Sequence, residues 1–329
     1  MSTPFQVLTV TANPAIDQTL AIVDFAAGKV NRVAGSRMDA GGKGINVATI
    51  LADLQLPVCV TGLLGAQNAA LFERHFTERH LEDRFVRVAG ETRTGVKIVN
   101  PLNGETTDIN FAGLQAGSED VEQLAHQVST LAAQCRWTVL SGSLPRGVDA
   151  GFYGRLIEAI HAAGGAVALD VSGAPLVAAI AAQPEILKPN RSELEELVGQ
   201  PLHSTAEVLR AATQLLVGRT RLVVISMGAD GALFVTRELA LRSHAPQVAV
   251  ASTVGAGDAM VAGLVWAELQ QLSLQETARL ATAFGAYAVT RCGAGMQIEE
   301  AAALMQQVNV EPVTEAMQQD RNLAVQGVQ

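Results

Sequence analysis

Short apolar runs rich in β-branched residues alternate along this chain with longer segments whose apolar residues recur at helical spacing. The runs that predict strands are Gln6–Thr11, Val58–Thr61, Thr138–Ser141, Ala166–Asp170, Ile186–Lys188 and Arg221–Ser226. The segments that predict helices are Ile45–Leu54, Asn68–His80, Val121–Ala133, Gly151–Ala163, Thr205–Val217, Asp258–Leu269 and Leu274–Thr290. This alternation is typical of βαβ units, so we expect an α/β fold with a mainly parallel sheet and helices on both faces.

Two β-rich stretches interrupt the alternation. Residues from about 16 to 38 and from about 92 to 111 alternate polar and apolar positions without a helical stripe, and the second contains the turn-forming pair Asn103-Gly104. They predict a small accessory sheet beside the main one. Two surface hairpins without a functional role are the alternative interpretation.

Composition and charge narrow the classes of function. Of the 329 residues, 49% are hydrophobic and 17% are charged, which excludes an intrinsically disordered protein. The formal net charge is −9. A chain this acidic is a poor candidate for binding a nucleic-acid backbone, so we expect no nucleic-acid partner. If the protein binds an anion, positive charge must be gathered locally.

The cysteines and the apolar segments bear on the cellular compartment. Cys59, Cys135 and Cys292 lie far apart without CxxC spacing, which predicts reduced, half-buried thiols in a cytoplasmic protein. The amino-terminal residues lack the pattern of a signal peptide. The longest uncharged run, Leu54–Phe72, is broken by proline, glycine and amide residues, so we expect no membrane span.

Several familiar signatures are missing from the sequence. Gly28-Lys29 and Gly42-Lys43 are not followed by serine or threonine, so there is no Walker A loop. The patterns GxGxxG, GxSxG and HExxH do not occur either. Their absence argues against a dinucleotide enzyme, an α/β-hydrolase and a dedicated transition-metal site.

The strongest local signal is the segment Ser252–Met260, which follows an apolar run, Val248–Ala251, that predicts a strand. Gly255 and Gly257 allow a tight turn in which several N–H groups can point at one anion. Asp258 then falls in the first turn of a helix, where a carboxylate could accept a hydroxyl proton during phosphoryl transfer. A glycine-rich turn closed by a helix-capping aspartate is the alternative.

A second glycine-rich segment, Ala40–Ala48, also leads into a predicted helix. Its glycines allow a ligand to approach the main chain, Asn46 could hydrogen-bond ligand hydroxyls, and Lys43 adds a positive charge. A tight turn with a solvated lysine is the alternative. Asp17, after the first strand, is by itself no more than a turn aspartate.

Two further segments follow predicted strands. In Leu187–Glu193, Asn190 and Glu193 have the spacing of a helix-capping pair, and they could instead arrange water and magnesium around phosphate oxygens. In Ser226–Gly231, the glycines could admit a nucleotide phosphate, although in isolation this segment favours a hairpin turn.

Taken together and in this order, these segments resemble the ribokinase-like (PfkB) family of carbohydrate kinases. Ala40–Ala48 and Thr253–Asp258 are similar to the two signature regions of that family, Leu187–Glu193 to its Asn-x-x-Glu motif and Ser226–Gly231 to its nucleotide strand-turn. The resemblance implies a three-layer αβα Rossmann-like core with a β-sheet lid. The implied boundaries are residues 1–13, 39–90 and 114–329 for the kinase core and residues 14–38 and 91–113 for the lid.

The resemblance also implies ATP as cosubstrate, Mg²⁺ as cofactor and a role for each motif residue. Asp258 would be the general base, beside an anion hole formed by Gly255, Ala256 and Gly257. The residues implied to bind a sugar phosphate are Asp17, Lys29, Gly41, Gly42, Lys43, Asn46, Arg93, Lys97 and Ser141. The residues implied to bind the nucleotide are Lys188, Asn190, Glu193, Ser226, Gly228, Ala229, Gly231 and Thr253. Asn190 and Glu193 would also hold Mg²⁺ through water.

The acceptor is implied by similarity to one branch of the family. Thr9–Asp17, Thr92–Ile98, Asp108–Gly113 and Ser141–Gly147 are similar to segments of the kinases that convert fructose 1-phosphate to fructose 1,6-bisphosphate. Tagatose 6-phosphate and fructose 6-phosphate are the alternative acceptors, and a sugar-phosphate sensor without catalysis is a remote one. Relatives often pair through their lids, so the resemblance implies a homodimer through the β-sheet lid, and we expect no membrane partner.

Overall fold

The computed structural model describes residues 5–291 and 293–313. The strands are β1 (Val7–Thr11), β2 (Ala15–Ala21), β3 (Gly35–Gly41), β4 (Val58–Gly65), β5 (Glu82–Asp83), β6 (Val86–Val88), β7 (Thr94–Val99), β8 (Thr106–Asn110), β9 (Trp137–Ser141), β10 (Ala166–Asp170), β11 (Ile186–Leu187), β12 (Leu222–Ser226), β13 (Ala232–Val235), β14 (Ala240–His244) and β15 (Asn309–Pro312). The helices are α1 (Lys43–Asp53), α2 (Ala70–Glu78), α3 (Ser118–Ala132), α4 (Phe152–Ala162), α5 (Ala174–Ile180), α6 (Arg191–Val198), α7 (Thr205–Gln214), α8 (Ala256–Leu269), α9 (Leu274–Ala288) and α10 (Ile298–Met305). Every strand and helix of the alternating pattern is present, with ends shifted by a few residues.

The larger sheet is parallel through its centre. Its strand order is β15-β14-β13-β12-β11-β10-β9-β1-β4-β5, and β6 pairs with the carboxyl half of β4. The strands from β12 to β5 in this order run parallel to their neighbours, whereas β13, β14 and β15 form an antiparallel edge. The predicted α/β fold with a mainly parallel sheet is confirmed.

The central strands are apolar on both faces, which explains why helices cover both. Every residue of β1 is buried. Successive strand residues point to opposite faces, and accordingly Val7 belongs to one core cluster and Leu8 to the other. Helices α1, α8 and α9 contribute to the first cluster, and α3, α4 and α7 to the second. The result is the predicted three-layer αβα arrangement.

The strand predicted at Val248–Ala251 is wrong. Residues 245–250 have no regular secondary structure, and Val250 is exposed. The preceding strand β14 is already paired with β13 on one side and β15 on the other, so the strand next to these residues in sequence has no free edge to offer them. Instead, the N–H groups of Ala251 and Ser252 donate to the Val289 carbonyl, at 2.7 and 3.2 Å, which fixes the segment beside the end of α9.

The two β-rich stretches form one separate sheet of four strands, in the order β3-β2-β7-β8. The hairpins β2–β3 and β7–β8 are each antiparallel, and they are joined by a parallel pairing of β2 with β7, in which Asp17 lies opposite Gly95. Two independent surface hairpins are thereby excluded. We call this unit the small sheet.

The described residues include two of the three cysteines. Cys59 and Cys135 are free thiols and are buried, at 0% and 7% exposure, rather than half-buried as predicted, and burial raises the pKa of each to about 12. Cys292 lies outside the described residues.

Among the helices described, none has both the length and the apolar character needed to cross a membrane.

Candidate active site

A cavity of about 370 Å³ opens at the carboxyl ends of the parallel strands, between the main sheet, the start of α8 and the small sheet. The predicted site residues that line it are Asp17, Gly42, Lys43, Asn46, Arg93, Lys188, Asn190, Glu193, Ser226, Gly255, Gly257 and Asp258. They come from six separated stretches of the chain. The fold therefore brings most of the motif residues to one place, at the position expected for ligands of such sheets.

Asp258 lies in the first turn of α8 and is buried, with 5% of its surface exposed. Asn46, from α1, donates through Nδ2 to its Oδ2 at 2.8 Å. Burial raises the pKa of the Asp258 carboxyl to about 6, and the negative charge of Asp170 adds to the rise, while Asn46, Lys43 and Lys188 oppose it. At neutral pH the carboxylate is ionised, yet basic enough to accept a proton.

At the start of α8, main-chain groups that no side chain covers line the same cavity. Gly255 has φ 86°, in the left-handed region that favours glycine, and no side chain caps the helix. The first N–H groups of an α-helix have no acceptor within it and carry the positive end of the helix dipole. A Cβ on Gly257 would lie 3.4 Å from the Lys188 ammonium, so a lysine stands directly against this turn. The arrangement suits an anionic group.

Sequence reasoning missed Asp170, the most buried charged residue of the cavity, at 1% exposure. Its Oδ2 accepts from Lys43 Nζ at 3.3 Å, and its Oδ1 is in ionic contact with Lys188 Nζ at 3.2 Å. Burial alone would raise the pKa of Asp170, but the two lysines outweigh it and lower the pKa below its usual value. The signal was available, since Asp170 ends the predicted strand Ala166–Asp170, where a parallel sheet places its ligand site.

Asn190 and Glu193 form the predicted helix cap at the start of α6. Glu193 N donates to Asn190 Oδ1 at 2.9 Å, and Asn190 N donates to Glu193 Oε2 at 2.7 Å. The capping interpretation is therefore confirmed. Both residues also line the cavity, and Glu193 Oε1 has no hydrogen bond to the described residues, so the carboxylate can still act on a ligand.

On the side of the small sheet, Asp17 and two cations face the ligand region. A Cβ on Gly41 would lie 2.1 Å from Asp17 Oδ2, so this glycine makes room for the carboxylate. Burial raises the pKa of Asp17, against the opposing charges of Lys97 and Arg93. Lys97 borders an adjoining cleft with Asp17 and is paired with Asp108 at 2.6 Å.

The remaining predicted residues do not line the cavity. Ser141 is buried at the end of β9, where its hydroxyl has no partner among the described residues. Ala256 is the first residue of α8. Lys29, in the connection between β2 and β3, and Thr253 are exposed.

The predicted hairpin at Ser226–Gly231 is present. Gly228 and Ala229 lie in an exposed turn between the antiparallel strands β12 and β13. A Cβ on Gly231 would lie 1.9 Å from the Ser243 carbonyl oxygen, which gives this glycine a packing role.

Comparison with known proteins gives one consistent result. The profile described as pfkB family carbohydrate kinase matches residues 10–301. A 1-phosphofructokinase of Rhodobacter capsulatus is 49% identical over 289 residues, covering 88% of this chain and 92% of its own. A 1-phosphofructokinase of Xanthomonas campestris is 49% identical over 284 residues, covering 85% and 89%. The solved structure of phosphofructokinase-2 from Escherichia coli in complex with substrates and products superimposes with a TM-score of 0.87 at 28% identity, covering 92% of this chain and 98% of that one.

Proposed function

Because the chain belongs to the pfkB family of carbohydrate kinases, we propose that it transfers the γ-phosphoryl group of ATP to the C6 hydroxyl of fructose 1-phosphate. The products would be fructose 1,6-bisphosphate and ADP. The choice of acceptor is supported by the two relatives at 49% identity, both named 1-phosphofructokinase. Tagatose 6-phosphate and fructose 6-phosphate are the alternative acceptors.

The observation that carries this proposal is the buried carboxyl of Asp258 beside the uncapped start of α8. The C6 oxygen of the sugar attacks the γ-phosphorus while Asp258 accepts the hydroxyl proton. The new O–P bond forms as the bond to the β-phosphate oxygen breaks, and that oxygen leaves with ADP. The N–H groups around Gly255, Ala256 and Gly257, together with the ammonium of Lys188, stabilise the charge on the transferred group.

The acceptor sugar would lie between Asp258 and the small sheet. Asp17, Asn46 and the main chain at Gly41 and Gly42 can hydrogen-bond its hydroxyls. The phosphate of the sugar would contact the positively charged side chains near the small sheet. Such a local group of cations allows a protein with a negative net charge to bind a dianion. Those cations are Lys43, Arg93 and Lys97. Lys29 is left out of the proposal because it is exposed and lines neither the cavity nor the adjoining cleft that Lys97 borders.

The nucleotide would lie on the opposite side, toward Lys188, Asn190, Glu193 and Ser226. Mg²⁺ keeps several waters in proteins and is held through one or two carboxylates and substrate phosphates. The free Glu193 oxygen fits that role, with Asn190 beside it. When bound, the ion would neutralise charge on the ATP phosphates. Among the described residues there is no cluster of three or more acidic, histidine or cysteine side chains that could hold a metal ion.

We also propose that the small sheet is the lid of the site and that two copies pair through it. Its strands and connections expose several large apolar side chains, which is unusual for a face left to water. These are Val23, Phe25, Met38, Ile109 and Phe111. A cytoplasmic location is proposed as well, from the free thiols of Cys59 and Cys135 and the need for ATP.

The experiment that tests the proposed function is an ADP-release assay with fructose 1-phosphate, tagatose 6-phosphate and fructose 6-phosphate. We expect the highest kcat/KM with fructose 1-phosphate. A higher value with another sugar phosphate would reassign the acceptor and keep the reaction. Binding of a sugar phosphate without any ADP formation would instead identify a sensor.

A further inference from the structure

Two segments at the base of the small sheet are locked together by a pair of hydrogen bonds. Asn68 lies between β4 and α2, and Thr92 lies just before β7. The N–H of Thr92 donates to Asn68 Oδ1 at 2.8 Å, and Asn68 Nδ2 donates to the Thr92 carbonyl at 2.9 Å. One side-chain amide thus satisfies both backbone groups of a single residue. We call this pair the Asn68–Thr92 clamp.

A third bond ties the clamp to the main sheet. The N–H of Gly65, the last residue of β4, donates to Thr92 Oγ1 at 2.9 Å. A Cβ on Gly65 would lie 2.2 Å from Thr92 N, so the two main chains are in direct contact. Thr92 is 2% exposed. The start of β7 is therefore fixed on the carboxyl end of β4 with little freedom to shift.

The residue that follows the clamp is Arg93, which lines the cavity with Asp258. Its guanidinium has few partners of its own. Nη2 donates to the Asn13 carbonyl at 3.4 Å, Nε is buried without a partner, and no carboxylate of the described residues forms an ion pair with it. Its main chain, by contrast, is held, since its carbonyl accepts from Ile16 N at 2.8 Å. The backbone therefore fixes the point from which this side chain reaches into the cavity.

We propose that the Asn68–Thr92 clamp positions Arg93 for the phosphate that the acceptor sugar already carries. The inference rests on the proposed function, in which Arg93 binds that phosphate. Arginine recognises phosphate through paired, directional hydrogen bonds, so a small displacement of its backbone lowers affinity. Asn68 and Thr92 do not line the cavity and act only through Arg93. They are positioning residues that favour phosphorylated over unphosphorylated sugars.

The test is a double-mutant cycle on the full chain with Asn68→Ala, Arg93→Ala and the double variant. We measure KM for fructose 1-phosphate, KM for ATP and kcat. Each single variant should raise KM for the sugar phosphate by about tenfold or more, with little change in KM for ATP. The double variant should be no worse than Arg93→Ala alone, because the clamp has nothing left to position.

A matched control is Asn31→Ala. Asn31 makes the same pair of bonds to the backbone of Ala26, at 3.0 and 2.9 Å, in the connection between β2 and β3 outside the cavity lining. The Asn31→Ala variant should leave kcat, KM for fructose 1-phosphate and KM for ATP unchanged. If Asn68→Ala does not fold, Asn68→Asp replaces it, since the carboxylate keeps the acceptor for Thr92 N and loses only the donor.

The outcomes separate the two proposals. A raised KM in Arg93→Ala with an unchanged KM in Asn68→Ala overturns the positioning role and leaves the proposed function intact. Effects that multiply in the double variant overturn it as well, because they show that Asn68 acts independently of Arg93. An unchanged KM in Arg93→Ala removes Arg93 from the phosphate site, and the positioning role with it.

Discussion

At the scale of single residues, Asp258 carries the most specific expectation. Asp258→Asn preserves size and the contact with Asn46 but cannot accept a proton. A positioned general base contributes about 10²- to 10⁴-fold to rate, so kcat should fall by that factor with little change in either KM. Steady-state kinetics check this. Near-normal turnover in a folded variant would remove Asp258 from its role.

The same substitution has a consequence for stability. The pKa of Asp258 is raised from 3.8 to about 6 by burial in the folded state. A raised pKa means that this carboxyl favours folding when protonated, and that its contribution is lost as the pH rises through about 6. Asp258→Asn has no charge to bury. Its Tm, relative to the unmodified protein, should therefore rise between pH 4.5 and pH 8, as measured by calorimetry; a flat difference would contradict the raised pKa.

Asp170 should affect the pH dependence of the reaction. Its negative charge helps to raise the pKa of Asp258. Asp170→Asn removes that charge while Lys43 and Lys188 remain, so the pKa of Asp258 falls. The acidic limb of kcat/KM against pH should move to lower pH, with a lower plateau because two lysines lose their shared partner. Asp149→Asn, at an exposed ion pair, is the control and should leave the profile in place.

The site residues that the sequence identified differ from those it missed in whether their partners are close in sequence. Asp258, Asn46 and Glu193 belong to glycine-rich or capping patterns that are continuous in sequence. Asp170 belongs to no such pattern, and its importance comes from lysines supplied by two distant segments. Asn68 is similar, because its partner Thr92 is brought to it only by the pairing of the strands. Local patterns predict local geometry, and these contacts are not local.

At the scale of elements, helices α8 and α9 are in close contact at Gly263. A Cβ there would lie 3.0 Å from Ala281 Cα and 3.2 Å from the Phe284 ring. Gly263→Ala should lower the free energy of unfolding by about 1–3 kcal/mol, as overpacking of a core does. Gly154, in α4, is the matched helical control, since its Cβ would make only an ordinary contact at 3.4 Å. Gly154→Ala should leave the free energy of unfolding unchanged or raise it. Urea unfolding measures both variants, and an equal loss of stability in the two would contradict the prediction.

Helical periodicity predicted long helices such as α3 and α4 because each buries one face, whereas α8 is apolar and buried on almost every side. The short run Val248–Ala251 has the composition of a strand, yet the strand that precedes it, β14, already has a partner on each side. Whether an apolar run becomes a strand depends on a partner that the run itself does not encode. The sequence predicted the two β-rich stretches of the small sheet, but not that the parallel pairing of β2 with β7 joins them.

At the scale of the whole molecule, the exposed apolar face of the small sheet predicts self-association. Met38, Ile109 and Phe111 are 55%, 44% and 55% exposed. Light scattering of the full chain should give the mass of a dimer. Ile109→Lys should shift the equilibrium toward the monomer, and Val177→Lys, at an exposed site on α5, should not. A monomer at all concentrations would end the proposal.

The main chain passes between the two sheets four times, after β1, β3, β6 and β8. Four connections restrict the small sheet more than a single linker would, because any movement has to be accommodated in all four at once. For the lid that we propose, this favours a small tilt over a large displacement. The same tilt would then exclude water from the cavity and bring Asp17, on β2, toward the sugar in one movement.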